Sequence, residues 1–414
     1  MPALKSVFHK LFRFCTRKIV FPLYYNLNTI KPLQDDKVVF VELRLPELSD
    51  SFIELYNYLD ENYNLELKTH FIRHGFDSNS KKYRSIFAFL KDAATAKYII
   101  FNEAADIFGC MRKRKNAHML CTWHGCGAFK KFGLSTKDKG FGDSGIEAKL
   151  YPGHPDYDIV TVSSPEVVWA YVEAMGKENR KESIRPTGVS RTDVFYRKDY
   201  IDKAFDRLHE LIPESKDKKV MLYAPTFRGE TKTAHTPEEI DIKLLCEKFS
   251  DEYILLIKNH PIVHNKIRIP DECKSFAFDV SKFLTTEEVI CTADICISDY
   301  SSLIYEYSLF ERPMVFFAFD LDAYFDNRGF YYDYDSLTPG PVCRTNDELI
   351  GAISELTNNF ENSEYRSQIH EFRNKFMSAC DGHATERIVR EFFGKDIRKY
   401  GKMGLNPDIS SYAR

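Results

Sequence analysis

Paired cysteines are the first thing this 414-residue chain lacks: it has ten cysteines, yet no Cys-x-x-Cys pair and no cysteine–histidine group with zinc-site spacing. Zinc-ribbon and dithiol redox chemistry are excluded, and the thiols are read as reduced. A long apolar run is missing too. No stretch reaches the roughly 18 apolar residues that a membrane-spanning helix requires, and no cleavable signal pattern is evident. There is no cationic excess: 58 Lys and Arg against 61 Asp and Glu give a formal charge of −3. Wholesale nucleic-acid binding is therefore excluded, and any basic surface must be local. No Asp-x-Asp pair stands at a predicted strand end. The nearest match, Asp333-Tyr334-Asp335, falls in an aromatic loop and reads as a solvated turn rather than a Mg²⁺ site, so no metal or other cofactor is expected.

Acid is also absent before Asp35. In that stretch Lys5, Lys10, Arg13, Arg17, Lys18 and Lys31 are interleaved with apolar residues, of which Leu4, Val7, Phe8, Leu11, Phe12 and Phe14 recur at roughly helical spacing. A basic helix rich in Phe and Leu lies readily in a headgroup layer and is held there by anionic lipid. The competing reading is a helix packed on the protein with its lysines solvated.

The length, with 43% apolar content, suits two domains of comparable size. From residue 37 short β-rich runs alternate with helical ones, the signature of α/β domains with mostly parallel sheets. The pattern predicts strands over Val38–Leu43, Leu65–Ile72, Tyr98–Phe101, Met119–Trp123 and Ile159–Val162. After Arg185-Pro186-Thr187-Gly188 it predicts strands over Val220–Ala224, Tyr253–Lys258, Ser275–Phe278, Ile295–Ser298 and Met314–Ala318. The tail reads as helices Asp347–Leu356, Tyr365–Met377 and Thr385–Phe393, with a frayed last dozen residues. The implied division is a basic amphipathic arm (1–34), two Rossmann-like units facing one another (35–185 and 186–380), and a C-terminal helix and tail (381–414).

In open α/β sheets ligands bind at the carboxyl ends of strands, and four polar loops follow predicted strands. His124 sits in Thr122-Trp123-His124-Gly125-Cys126-Gly127, with Lys130 and Lys131 behind it. The glycines let backbone approach a ligand, and a histidine near neutrality takes a proton from a hydroxyl nucleophile. Lys258-Asn259-His260-Pro261 sets a cation, an amide and an imidazole together, a set suited to anionic oxygen. Arg228 closes Pro225-Thr226-Phe227-Arg228 and offers a bidentate phosphate fork. Ser298-Asp299-Tyr300-Ser301-Ser302 precedes a helix-like run, where hydroxyls and backbone N–H groups form a phosphate cradle. Glu306, one turn on, is placed to accept from ribose hydroxyls. Arg191 and Asp193 read first as pins of the interdomain segment.

The ordered set TWHGCGAFKKFG, TGVSRTDVF, VMLYAPTFRG, LLIKNHP, ISDYSSLIYEYSLFERPMVFF and DGHATERI resembles the CDP-glycerol glycerophosphotransferase family, builders of teichoic acids and related capsular polymers, over about residues 97–393. The resemblance implies a GT-B-type fold and work at the cytoplasmic face of the membrane on lipid-linked or polymeric acceptors. It implies His124 as general base and His260 as a second essential histidine at the phosphates. It also implies Ser301 and Ser302 as the pyrophosphate cradle and Arg228 as a further phosphate ligand; Gly125, Lys130 and Lys131 fall on the acceptor side. Cys126-Gly127 departs from a Thr-Pro frequent in the family. The expected reaction is transfer of glycerol phosphate from CDP-glycerol to an acceptor hydroxyl with release of CMP. The alternatives are a CDP-ribitol transferase, a GT-B glycosyltransferase using a nucleotide sugar, and a non-catalytic nucleotide-binding scaffold.

Overall fold

The computed structural model describes residues 2–73, 78–137, 149–229, 233–394 and 397–398. The tail expected to fray lies outside them. Two six-stranded sheets carry the fold. The first is ordered β2-β1-β3-β4-β5-β6, from β1 (Gln34–Glu42), β2 (Glu66–Phe71), β3 (Ala96–Phe101), β4 (His118–Cys121), β5 (Ile159–Thr161) and β6 (Ile184–Arg185). The second is ordered β12-β11-β10-β7-β8-β9, from β7 (Lys219–Ala224), β8 (Tyr253–Ile257), β9 (Ala277–Asp279), β10 (Ile295–Ser298), β11 (Met314–Phe317) and β12 (Val342–Cys343). Each pairing between these strands is parallel. Central strands such as Tyr253–Ile257 are buried throughout, as parallel strands covered on both faces must be.

The N-terminal residues form a nearly continuous helical rod, Pro2–Cys15 and Phe21–Asn28 joined through a π-helical turn at Thr16–Val20. It is not a detached arm. Phe21 and Tyr25 are buried against the first domain, Tyr24 meets Phe87 edge-on at 4.9 Å, and Arg17 in the π turn pairs with Asp106 at 2.8 Å. The opposite face carries exposed Phe8, Leu11, Ile19, Leu23 and Leu27. The packed reading thus describes the inner face of the segment. The side chains of Leu4 and Lys5 lie outside the described residues.

At the other end the chain crosses back. Ile388, Val389 and Phe392 of the helix Ala384–Phe392 pack with Val38, Phe40, Tyr98 and Leu120 of the first sheet. Its first turn is capped from the interdomain segment, since Asp193 accepts from the N–H groups of Ala384 (3.0 Å) and Thr385 (2.8 Å). The two sheets are also stitched by main chain: Lys131 N–H donates to Gly329 O and Tyr331 N–H to Phe129 O, both at 3.1 Å.

Asp193→Ala leaves those two N–H groups uncapped, and a lost cap costs about 1–2 kcal/mol. Urea unfolding should show a lower midpoint of that size, and an unchanged midpoint would remove the capping role.

Candidate active site

Strand order reverses between β1 and β3 in the first sheet and between β7 and β10 in the second, and crevices open at such points beyond the strand carboxyl ends. β3 runs out into Asn102, whose side chain donates to Glu42 (2.9 Å) and Ser49 (2.8 Å). That fixes its carbonyl, which faces His124 Nδ1 at 3.1 Å. A carbonyl only accepts, so Nδ1 carries the proton and Nε2 keeps its lone pair. The residue is solvent-exposed, with the Trp123 ring stacked on its imidazole. Desolvation of the ring, with the charges of Arg44 and Arg191, pushes its pKa down to about 4. His124 is therefore a neutral imidazole whose Nε2 can accept a proton.

The loop that holds it is tightly determined. Trp123 adopts a left-handed backbone, φ +55°, uncommon for a bulky residue. Its indole stacks on His124 at 4.5 Å and packs with Phe132 at 5.0 Å. Gly127, φ +65°, donates to Ser163 Oγ and accepts from the Tyr171 hydroxyl, and a Cβ there would fall 2.3 Å from the Tyr305 ring. That contact requires glycine at the departure from Thr-Pro. A Cβ added at Gly125 would lie 3.8 Å from Ser302 Oγ, so the histidine loop of one sheet lies beside the serine loop of the other.

Ser302 is exposed, and Ser301 Oγ accepts from Leu303 N–H at 3.3 Å. The following α-helix, Leu303–Tyr307, runs only five residues, so an anion bound here would depend on the hydroxyls rather than on a long helix dipole. His260 is exposed, and its Nδ1 accepts from Ile262 N–H at 3.2 Å, placing the proton on Nε2 as a donor.

Other expected ligands point elsewhere. Ser298 is buried and donates to Ala224 O; Asp299 is buried and accepts from the N–H groups of Thr226 and Tyr300. Arg228 is spent on carboxylates, paired with Asp320 at 2.7 Å and Asp299 at 3.1 Å beneath Tyr300 and Tyr324. Lys258 donates to the carbonyls of Ser281 and Leu284. Glu306 is 2% exposed and turned toward Arg191, so it cannot serve a ribose. Those five are engaged by protein partners in this structure and act as supports of the crevice. Lys130 Nζ reaches the Tyr324 hydroxyl at 3.3 Å, while Lys131 holds Gly329 through its main chain. Asp333 caps the turn Tyr334–Leu337 through Ser336. Among the described residues no cluster of three histidine, cysteine or acidic side chains is placed to hold a metal ion. Sequence reasoning passed over Asn102, although a lone amide ending the apolar run Tyr98–Phe101 was a signal. It also passed over Trp123.

Two parallel sheets turning their crevices toward each other define a GT-B-type protein. Residues 23–394 match the family described as CDP-glycerol:poly(glycerophosphate) glycerophosphotransferase, and the chain belongs to that family. It is 36% identical over 377 residues to a teichoic acid poly(ribitol-phosphate) polymerase of Bacillus spizizenii, covering 89% of this chain and 58% of that protein. It is 26% identical over 391 residues to a teichoic acid poly(glycerol phosphate) polymerase of the same species, covering 91% and 96%. The fold superposes on the wall teichoic acid polymerase TagF with a TM-score of 0.72 at 22% identity, covering 94% and 97% of the two chains.

As a base, His124 would accept a proton only in its neutral form, so activity would be lost as pH falls through its pKa. The acid limb of kcat/KM should lie near pH 4, and the profile should stay flat through about 6.5, the ordinary histidine value. A limb near 6.5 that disappears in His124→Gln would contradict this.

Proposed function

We propose that the chain transfers a polyol phosphate from a CDP-polyol to a hydroxyl of a lipid-linked or polymeric acceptor, in the synthesis of a teichoic acid-like or capsular polymer. One observation carries the reading: His124, exposed and with Nδ1 bound to the Asn102 carbonyl so that Nε2 is left an acceptor, stands on a loop that lies beside Ser302 of the opposite sheet. The acceptor oxygen attacks the β-phosphorus, its proton passes to Nε2, and the bond from that phosphorus to the bridging oxygen breaks. CMP leaves and a phosphodiester remains. Ser301, Ser302 and the Nε2–H of His260 hold the diphosphate oxygens, so positioning and fixed donors supply most of the rate.

Ribitol is favoured over glycerol as the polyol. Relatives named for ribitol phosphate are 33–36% identical over 371–415 residues, those named for glycerol phosphate 26–32% over 229–391 residues. Turnover with labelled CDP-ribitol and CDP-glycerol, followed by CMP release, separates the two. His124→Ala should cost about 10²–10⁴-fold with either donor, and full activity of that variant would refute the mechanism.

The rod is the membrane contact in this reading. No helix among the described residues is long and apolar enough to cross a membrane, but the exposed Phe8, Leu11, Leu23 and Leu27 share the rod with Lys10 and Lys18, a combination suited to an anionic headgroup layer. Phe8→Glu with Leu11→Glu should weaken co-sedimentation with anionic vesicles at least fivefold. Equal binding by parent and variant would end the proposal.

A further inference from the structure

Arg191 lies in the 3-10 segment Ser190–Tyr196, on the crossing between the two sheets, and only 13% of its side chain is exposed. Its Nη1 donates to the main-chain carbonyl of His124 at 3.1 Å. Its Nη2 faces Glu287 at 2.8 Å and Glu306 at 3.6 Å. Glu287 stands in the first turn of the helix Thr286–Thr292, and Glu306 on the short helix that follows Ser301 and Ser302. Both carboxylates are 3% exposed, so water does not compete for them. Asp50, first residue of the helix Asp50–Asn62 of the first domain, faces the same group; burial and the charge of Glu287 hold its carboxyl up to about 7.

We infer that Arg191 is a positioning residue for the transfer reaction, fixing the main chain of His124 against the two donor-side helices that flank the serine loop. The inference rests on the reading of His124 as the base. A planar guanidinium addresses several acceptors at fixed angles, which an ammonium on a flexible stem does not. The bond goes to the residue that carries the base, and a misplacement of about 1 Å at a reacting group costs on the order of 10²-fold in rate. Simple anchoring of the fold would predict a stability defect with normal turnover per folded molecule. Positioning predicts a turnover defect with the donor still bound.

The test is steady-state kinetics and CDP binding by calorimetry on the full chain, each variant checked by thermal melting. Arg191→Lys keeps the charge and loses the fork. Arg191→Met with Glu287→Gln and Glu306→Gln removes these three charges together, so that none of the three is left buried without its partner. Both should lower kcat at least tenfold, with KM for the CDP-polyol and the affinity for CDP within threefold of the parent. A folded Arg191→Lys with kcat within twofold of the parent overturns the inference, as does a joint loss of CDP binding and turnover. His124→Gln separates the two readings: if it is active, the base assignment has failed; if it is inactive while Arg191→Lys is active, only the role of Arg191 has.

Discussion

A parallel sheet sends the carboxyl end of every strand to the same edge, and that polarity is the constraint on which the rest of this structure depends. With the twelve strands of the described residues in two parallel sheets, every connection that leaves a strand end opens on the ligand side. Facing two such edges toward each other concentrates the loops after β3, β4, β7, β8 and β10 in one crevice. The chemistry then needs few residues, because the geometry has already collected them. It needs the two edges to be held in register. Main-chain bonds between Phe129–Lys131 and Gly329–Tyr331 and the helix Ala384–Phe392 returning to the first sheet supply that hold.

Charge is handled differently inside the crevice and at its mouth. Within the walls, Arg228, Lys258, Glu306 and Arg191 are matched to carboxylates or carbonyls, as groups withdrawn from water must be. At the mouth, His124, His260 and Ser302 stay solvent-reachable. Two imidazoles do opposite work there because their Nδ1 atoms have opposite partners. His124 donates to a carbonyl and is left an acceptor; His260 accepts from an amide and is left a donor.

The strands with long apolar runs and the loops behind them were legible because both signals are local. β6 and β12 were not, since two residues carry no periodicity. The serine and histidine loops could be placed at strand ends from spacing alone, but the direction of a side chain could not. Glu306 was read as facing a ribose because it follows Ser302 by one turn, yet its partner Arg191 comes from a segment more than a hundred residues earlier. Arg228 likewise depends on Asp320, 92 residues away. Pairings of that kind are decided by the crossing of two domains.

The buried Arg17 in the π turn bears on motion. A flexible leash would let the enzyme tumble above a surface and present its cleft at random. Here the rod is clamped by the Arg17–Asp106 pair and by Phe21 and Tyr25, and Asp106 opens the short helix Asp106–Gly109, only a few residues beyond Asn102, whose carbonyl orients His124. If the outer face of the rod rests on a surface, as proposed above, the cleft would take a fixed tilt and height above it. Acceptors anchored in that surface would then meet the cleft from one direction, with their search confined to two dimensions.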